Sequence, residues 1–531
     1  MSQPETAGLS PVELARGLGQ DRPFGDSSYI QSQMHAAFFR RLDTISTAVP
    51  VAGELLAALT GADDASRYRA LGDPVLRFVI QQALARLRTE ATDGYPEADC
   101  ARVLEGAVEH LARADSGTWG PLVAEAKTCE RLGPNPFHGW IWNGDSGTEG
   151  VFRGAFLEQI TRNTYDPVCG PDSRQTAALQ AGAELLDNVA PGLSESSLAH
   201  AHVIAVFPQK GRWKGVVSSS QFRVPGAIFL SRNSLENPWV VAEGLFHESL
   251  HQKSYDLRHA HTVQRSDFDP AEDTEATSGI TSLWNRVDAN GPEMWGPSRG
   301  LAAFHVYTHL AVYAALAHAA RQQDDTLPPG GDDPRVTTAE VARRRALYLG
   351  DQLRRYFMDV FGRAGVGLVD WLTQCMDLMA APLPESELRA SLLLQRYGRE
   401  IGSIQNFLGR TPLPPQQELL LLLGDEVAAA RRILTMCDPP ALSDFEGAIR
   451  PYLAADGQSL CADVAPLVRR LIRDALNSVL PDGAPDENLP EVHQGVEAMV
   501  ERSSRDLVTI LAKPSESTPA VVNDRAPVSV S

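Results

Sequence analysis

The chain has 531 residues, 43% hydrophobic and 22% charged, which is too long for one ordinary core and typical of a folded protein. A formal net charge of -19 argues against a nucleic-acid surface, because phosphate binding needs a basic patch that this balance makes hard to supply. Cys100, Cys129, Cys169, Cys375, Cys437 and Cys461 lie far apart with no CxxC pair, which excludes a thiolate zinc ribbon and disfavours a disulfide framework. The amino terminus has neither a basic nor an apolar signal region, and no run of about 18 apolar residues occurs, so the expected setting is cytoplasmic, without a membrane partner.

In chain order, apolar residues recur at helical spacing from about residue 28 to 130, as in Leu76, Phe78, Val79, Ile80, Leu84 and Leu87. Leu132 to Gly154 is rich in Gly, Pro, Asn and Trp and reads as irregular connection, after which helical spacing returns at Thr176–Val189. Three short β-type runs follow: Ala201–Phe207, Trp213–Ser218 and Gly226–Ser231. They stand immediately before a helix that opens at Asn237 and runs at least to Tyr255. Further helices are predicted at Leu301–Ala320, Ala339–Phe361, Glu385–Phe407, Gln416–Met436 and Ala465–Leu480. No internal repeat is visible. The expected organisation is a helical amino-terminal region (1–195), a core around the 237–255 helix (196–320), a carboxy-terminal helical region (321–512) and a disordered tail (513–531).

The chemistry-bearing element is the helix that begins Asn237-Pro238, with Asn237 a good N-cap and Pro238 at the first helical position, where its missing N–H costs nothing. It contains His247-Glu248-Ser249-Leu250-His251, an HExxH motif. Residues four apart lie about one turn apart on one face, so both imidazoles can hold one divalent ion. Glu248 is rotated about 100° from His247, beside the metal rather than necessarily on it. Gly244 leaves room for another element to approach. Two satisfied core histidines in a chance motif are the alternative.

The third ligand separates the chemistries. A metzincin protease would need histidine at 257 and glycine at 254, but these are Leu257 and Ser254, which excludes that class. A gluzincin-like protease would take a downstream glutamate, and Glu275 can serve, although its surroundings also read as a solvated acidic loop. The apolar segment Leu301–Tyr313 offers His305 and His309, again four apart on one helix face. Arg286 and Arg299, between the two histidine segments, are the candidate cations for an anionic co-substrate, or else surface ion-pair residues. His259 and His261 fall in an expected loop, and Arg343-Arg344-Arg345 in a solvated helix face.

Taken together, Val224-Pro-Gly-Ala-Ile-Phe-Leu-Ser231, Ala242-Glu-Gly-Leu-Phe-His-Glu-Ser-Leu-His251, Trp284-Asn-Arg286 and Phe304-His-Val-Tyr-Thr-His-Leu-Ala-Val312 resemble a known family. It is the HExxH-type peptide β-hydroxylases, 2-oxoglutarate-dependent enzymes found with ribosomally made, post-translationally modified peptides. The likeness covers roughly residues 200–315, with looser similarity at Glu13–Gly17 and Gly72–Arg77. Two features depart from the family pattern. Its Asp-Pro-Arg-Pro element is replaced by Val287-Asp-Ala-Asn-Gly-Pro-Glu-Met-Trp-Gly-Pro-Ser-Arg299, and the glycine after the first histidine of the second helix is Val306.

The resemblance implies a mainly α protein with a small β-sheet next to the HExxH helix, a zincin-like α+β core within a helical protein. It implies that His247, His251 and His305 or His309 hold Fe(II), leaving positions for 2-oxoglutarate and O2. The reaction it implies is hydroxylation of a peptide side-chain β-carbon, coupled to decarboxylation of 2-oxoglutarate, on a precursor-peptide substrate. Glu248 then orients a histidine or a water. The alternative is a zinc metallopeptidase with Glu248 as general base. A metal-free helical binding protein is a third reading.

Overall fold

The computed structural model describes residues 9–88, 97–113, 130–133, 138–142, 168, 170–209, 216–222, 224–268, 279–379, 383–408, 416–437, 439–452, 464–480 and 488–512. The chain forms two compact units, one of residues 1–270 with 297–381 and the other of 271–296 with 382–531. This differs from the expected division. The regions 1–195 and 196–270 are not separable, because one apolar core runs through both: Phe38, Leu42, Leu71, Val75 and Phe78 pack in the same cluster as Val203, Ala205, Phe207, Ala227 and Phe229. The expected carboxy-terminal region is cut at residue 381 rather than 321.

The sheet of the first unit contains β1 (Glu130–Arg131), β2 (Trp140–Ile141), β3 (Val203–Phe207), β4 (Ser218–Ser220) and β5 (Ala227–Ser231), in the order β1-β2-β3-β5-β4. The inner pairs β2–β3 and β3–β5 are parallel, and the edge strands β1 and β4 are antiparallel to their neighbours. β3 and β5 are buried along their whole length, with Val203 opposite Ala227 and Phe207 opposite Ser231. Strands covered on both faces are written as continuous apolar runs, which is why these two are legible in the sequence. β2 falls inside the stretch expected to be irregular and β1 at the end of the stretch read as helical, because two-residue strands carry no periodicity. Of the expected run Trp213–Ser218, residues 213–215 lie outside the described residues, and the observed strand begins at Ser218.

The described helices of this unit are α1 (Pro11–Gln20), α2 (Ser27–Ser46), α3 (Pro50–Gly61), α4 (Asp64–Gly72), α5 (Pro74–Leu87), α6 (Glu97–Arg113), α7 (Ser173–Val189), α8 (Pro191–Leu198), α9 (Pro238–Ala260), α10 (Pro297–Gln323), α11 (Ala339–Tyr356) and α12 (Arg363–Met379). The motif helix α9 lies at the centre, against β4, β5, α2, α7, α8 and α10. The fold is thus mainly α with a small mixed sheet beside the HExxH helix. Among the described residues, α10 alone is long and apolar enough to cross a membrane, and 72% of its apolar window is buried inside the protein, as in a core helix.

The second unit contains β6 (Ile280–Thr281), paired antiparallel with β7 (Met294–Trp295), and helices α13 (Glu385–Leu408), α14 (Gln416–Thr435), α15 (Pro439–Ile449), α16 (Ala465–Val479) and α17 (Leu489–Ala512). Trp284 and Trp295 meet edge to face at 5.3 Å. A buried polar knot joins its helices: Arg469 of α16 reaches Glu426 of α14 at 3.0 Å and Glu400 of α13 at 3.3 Å. Ser503 of α17 hydrogen-bonds Glu426 and Arg469.

Candidate metal centre

The motif helix is fixed from several sides. Asn237 Oδ1 accepts the Trp239 amide at 2.9 Å, as expected of an N-cap, while its Nδ2 donates to the Gly330 carbonyl at 2.8 Å. One turn beyond the motif, Gln252 clamps the start of β5: its Oε1 accepts from Gly226 N at 2.6 Å and its Nε2 donates to Ala227 O at 2.8 Å. Gly226, at φ +93°, takes a conformation that side chains rarely adopt. Leu230 of β5 sits where a Cβ on Gly244 would come within 2.9 Å, so Gly244 does admit a neighbouring element. On another flank, a Cβ on Gly182 of α7 would lie 2.3 Å from Val241 Cγ1. The absence of a side chain there lets α7 and α9 touch.

On this support His247 and His251 form a ring pair with centroids 5.0 Å apart. The His247 side chain is 28% exposed and opens the pair to solvent. His251 is the more enclosed partner, and its Nδ1 is buried with no hydrogen-bond partner among the described residues. Burial, then the neighbouring His247 and Arg299, hold the His251 imidazole well below its usual range. It is therefore neutral at pH 7, the form that ligates metals. Glu248 is almost fully buried, with Oε1 4.0 Å from His247 Nε2. Tyr255 stacks against His251 at 6.3 Å, and Tyr307 of α10 meets His247 edge-on at 6.4 Å.

His305 and His309 form a second ring pair on α10, 4.4 Å apart and fully enclosed. His309 Nδ1 lies 2.8 Å from the His305 carbonyl oxygen, and burial brings its pKa down to about 3. Both ring nitrogens of His305 are buried without a hydrogen-bond partner among the described residues, and burial, followed by His309, keeps this ring neutral too. The two pairs do not merge. Among the described residues no three His, Cys, Asp or Glu side chains converge as a ligand set, so neither His305 nor His309 is placed as the third ligand. α10 meets α9 on more than one side: His309 and Tyr313 lie 6.5 Å and 5.2 Å from the Phe246 ring, while Tyr307 meets His247 and His305 is within electrostatic reach of His251. His247 and His251 fit two positions of a divalent ion's shell. Glu275 lies outside the described residues.

The other expected residues divide. Arg299 is exposed near the start of α10, and its charge bears on both His251 and Tyr255. Arg286 belongs to the second unit, near Gly402 of α13. His259 lies in the last turn of α9 rather than in a loop, packed against Phe38 at 5.7 Å and Phe222 at 5.1 Å. His261 caps that helix and stacks on Tyr29. The three consecutive arginines do not share a solvated face, because successive helical residues turn by about 100°. Arg343 and Arg344 pair with Glu340, whereas Arg345 is buried, with its guanidinium 5.1 Å from the Tyr307 ring.

Sequence reasoning passed over Glu243, one turn before His247. Its carboxylate accepts from the Thr337 amide at 2.7 Å and from Thr337 Oγ1 at 2.5 Å. Burial raises its pKa against the pull of Thr337 and His247. The spacing of four between Glu243 and His247 was the available signal. Tyr307 and Arg345, by contrast, reach the site only through tertiary packing. No family model matches the chain, and no curated protein is similar to it.

Proposed function

We infer that the chain is an Fe(II)- and 2-oxoglutarate-dependent oxygenase that hydroxylates a side-chain β-carbon of a ribosomally made peptide. The observation that carries this reading is the His247–His251 pair on one face of α9, open to solvent at His247 and neutral by burial at His251. His247 and His251 would hold the ion, which when bound supplies the oxidative chemistry with 2-oxoglutarate and O2. Arg299 sets a positive charge beside His251, suited to a dianionic co-substrate. Tyr255 and Tyr307 wall the two imidazoles. Glu248, shielded beside His247, orients an imidazole or a water.

The same position of Glu248 favours one alternative, a zinc metallopeptidase in which its carboxylate takes the proton of the attacking water. Anaerobic addition of Fe(II) and then 2-oxoglutarate separates the two. The oxygenase gives a weak visible charge-transfer band that disappears on admitting O2, with succinate formed. Absence of the band and of succinate, together with tight zinc retention, would transfer the assignment to hydrolysis.

A further inference from the structure

The side of α9 turned away from the histidine pair carries a different constellation. Asp256 lies nine residues beyond His247, hence about 180° around the helix. Its Oδ1 accepts a hydrogen bond from Arg77 Nη2, and its Oδ2 is 2.6 Å from His200 Nδ1. The other ring nitrogen of His200, Nε2, is 3.0 Å from Ser27 Oγ. Arg77, His200 and Asp256 are completely enclosed. Ser27 is half-buried, and it lines a cavity of about 310 Å³ together with Gln20, Asp26, Gln31, Glu195 and Ser196.

We propose that Ser27, His200 and Asp256 form an acyl-transfer site that hydrolyses small neutral or cationic esters entering through this cavity. Each part of the array has the geometry its role needs. Burial holds the His200 imidazole below its usual range although Asp256 pulls it up, so the ring is neutral at pH 7. With Nδ1–H donated to the Asp256 carboxylate, Nε2 is the acceptor facing the Ser27 hydroxyl. Arg77 fixes the second oxygen of Asp256, which leaves the carboxylate one orientation. Ser27 is the first residue of α2, a 20-residue helix whose positive end favours negative charge developing at Oγ.

In the reaction, Ser27 Oγ bonds to the ester carbonyl carbon while its proton passes to His200 Nε2. Collapse of the tetrahedral adduct breaks the bond to the leaving alkoxide, which takes that proton from Nε2. Water then repeats the sequence on the acyl-serine, releasing the acid and restoring the Ser27 hydroxyl. The cavity is at the small end of ligand pockets, and the carboxyl group of Glu195 in its wall disfavours an anionic acyl group, while the Asp26 carboxylate there is paired with Arg22. Lys253 Nζ secures the floor by donating to Ser196 Oγ at 2.5 Å and to the Gly25 carbonyl at 2.6 Å. Ser27 Oγ also donates to the Ser196 carbonyl oxygen and lies 3.3 Å from Ser196 Oγ, so His200 competes for its single proton. A purely structural network keeps that proton on the carbonyl, whereas acyl transfer delivers it to His200. None of these residues belongs to the His247–His251 pair, so the proposal stands apart from the metal reading.

The test uses the full chain with a fluorophosphonate probe and with p-nitrophenyl acetate. The expected result is one adduct, mapped to Ser27, with p-nitrophenol release that EDTA leaves unchanged. Ser27→Ala should remove both signals, and His200→Gln should slow labelling about 100-fold or more. Should Ser27→Ala fail to fold, the closer isostere Ser27→Cys serves. Alkylation of the introduced thiol by iodoacetamide, read by peptide mapping, should slow when His200→Gln is added. A folded protein with no adduct at Ser27, labelling that survives Ser27→Ala, or an alkylation rate indifferent to His200→Gln overturns the proposal.

Discussion

Replacing Asp256 by asparagine keeps the shape of the side chain and removes the one charge that balances Arg77. Arg77 is completely enclosed, and its Nε and Nη1 already lack hydrogen-bond partners among the described residues, so Asp256 is its only ion-pair partner there. Breaking one side of a buried ion pair costs about 3–5 kcal/mol, because the remaining charge is left in a low-dielectric interior. That is a large part of the roughly 5–15 kcal/mol that holds a typical domain folded. Urea unfolding of the full chain, followed by far-UV circular dichroism and tryptophan fluorescence, should show the midpoint of the affected transition falling by about 1 M or more. The double change Arg77→Met with Asp256→Leu removes both charges and should recover most of the loss, to within about 1–2 kcal/mol of the parent. A loss below about 1 kcal/mol for Asp256→Asn, or a double variant no better than the single one, would refute the reasoning. The pH dependence has a definite sign. Burial alone would raise the Asp256 pKa, but Arg77 and His200 outweigh it and hold the carboxyl below its unfolded value of 3.8. The contribution of the pair is therefore complete above about pH 4 and disappears only as the pH falls toward the folded-state value.

Four further outcomes are expected. His247→Ala and His251→Ala should each lower bound iron or zinc, measured by elemental analysis after dialysis, while circular dichroism stays unchanged; full metal content in both would remove the candidate centre. His305→Ala and His309→Ala should leave metal content largely intact, since no third ligand converges on the pair among the described residues, and loss of metal in either would show that the residue changed completes the centre. Gly182→Ala forces a methyl to within 2.3 Å of Val241 Cγ1 and should cost about 1–3 kcal/mol by overpacking, read as a lower melting temperature. His202 is pushed down to about 3 by burial and then by Arg77, so between pH 3 and 6.5 the unfolded chain takes up a proton that the folded one refuses. Stability should fall with acid across that window by up to about 1.4 kcal/mol per pH unit, and His202→Gln should flatten the slope.

Particular residues show why some of this was legible in the sequence and some was not. β3 and β5 announce themselves because both faces are covered, so every residue from Val203 to Phe207 is apolar. The start of α9 is written in Asn237-Pro238, and the His247–His251 pair follows from helix geometry alone, since residues four apart share a face in any α-helix. These are short-range rules, satisfied within a few residues. The end of α9 is not legible: the expected loop at His259 stays helical to Ala260 because Asp256, Leu257 and His259 are buried against distant partners.

Which side of each helix meets which neighbour depends on the packed chain. The spacing of His305 and His309 matches that of the motif pair, yet α10 turns His309 toward Phe246 and Trp371 and encloses His305 without a hydrogen-bond partner among the described residues, a choice that rests on packing between elements far apart in sequence. Arg286 and Arg299 are 13 residues apart in sequence, and the chain assigns them to different compact units. Ser27, His200 and Asp256 come from three separate segments, each unremarkable in its own sequence context. Most helices, the two buried strands and the motif are legible in local pattern, because helix periodicity and capping act over one or two turns. The structure decided the second histidine pair's placement, the burial of Arg77 and the Ser27–His200–Asp256 array, because burial and long-range contact are properties of the packed chain and leave no periodic trace.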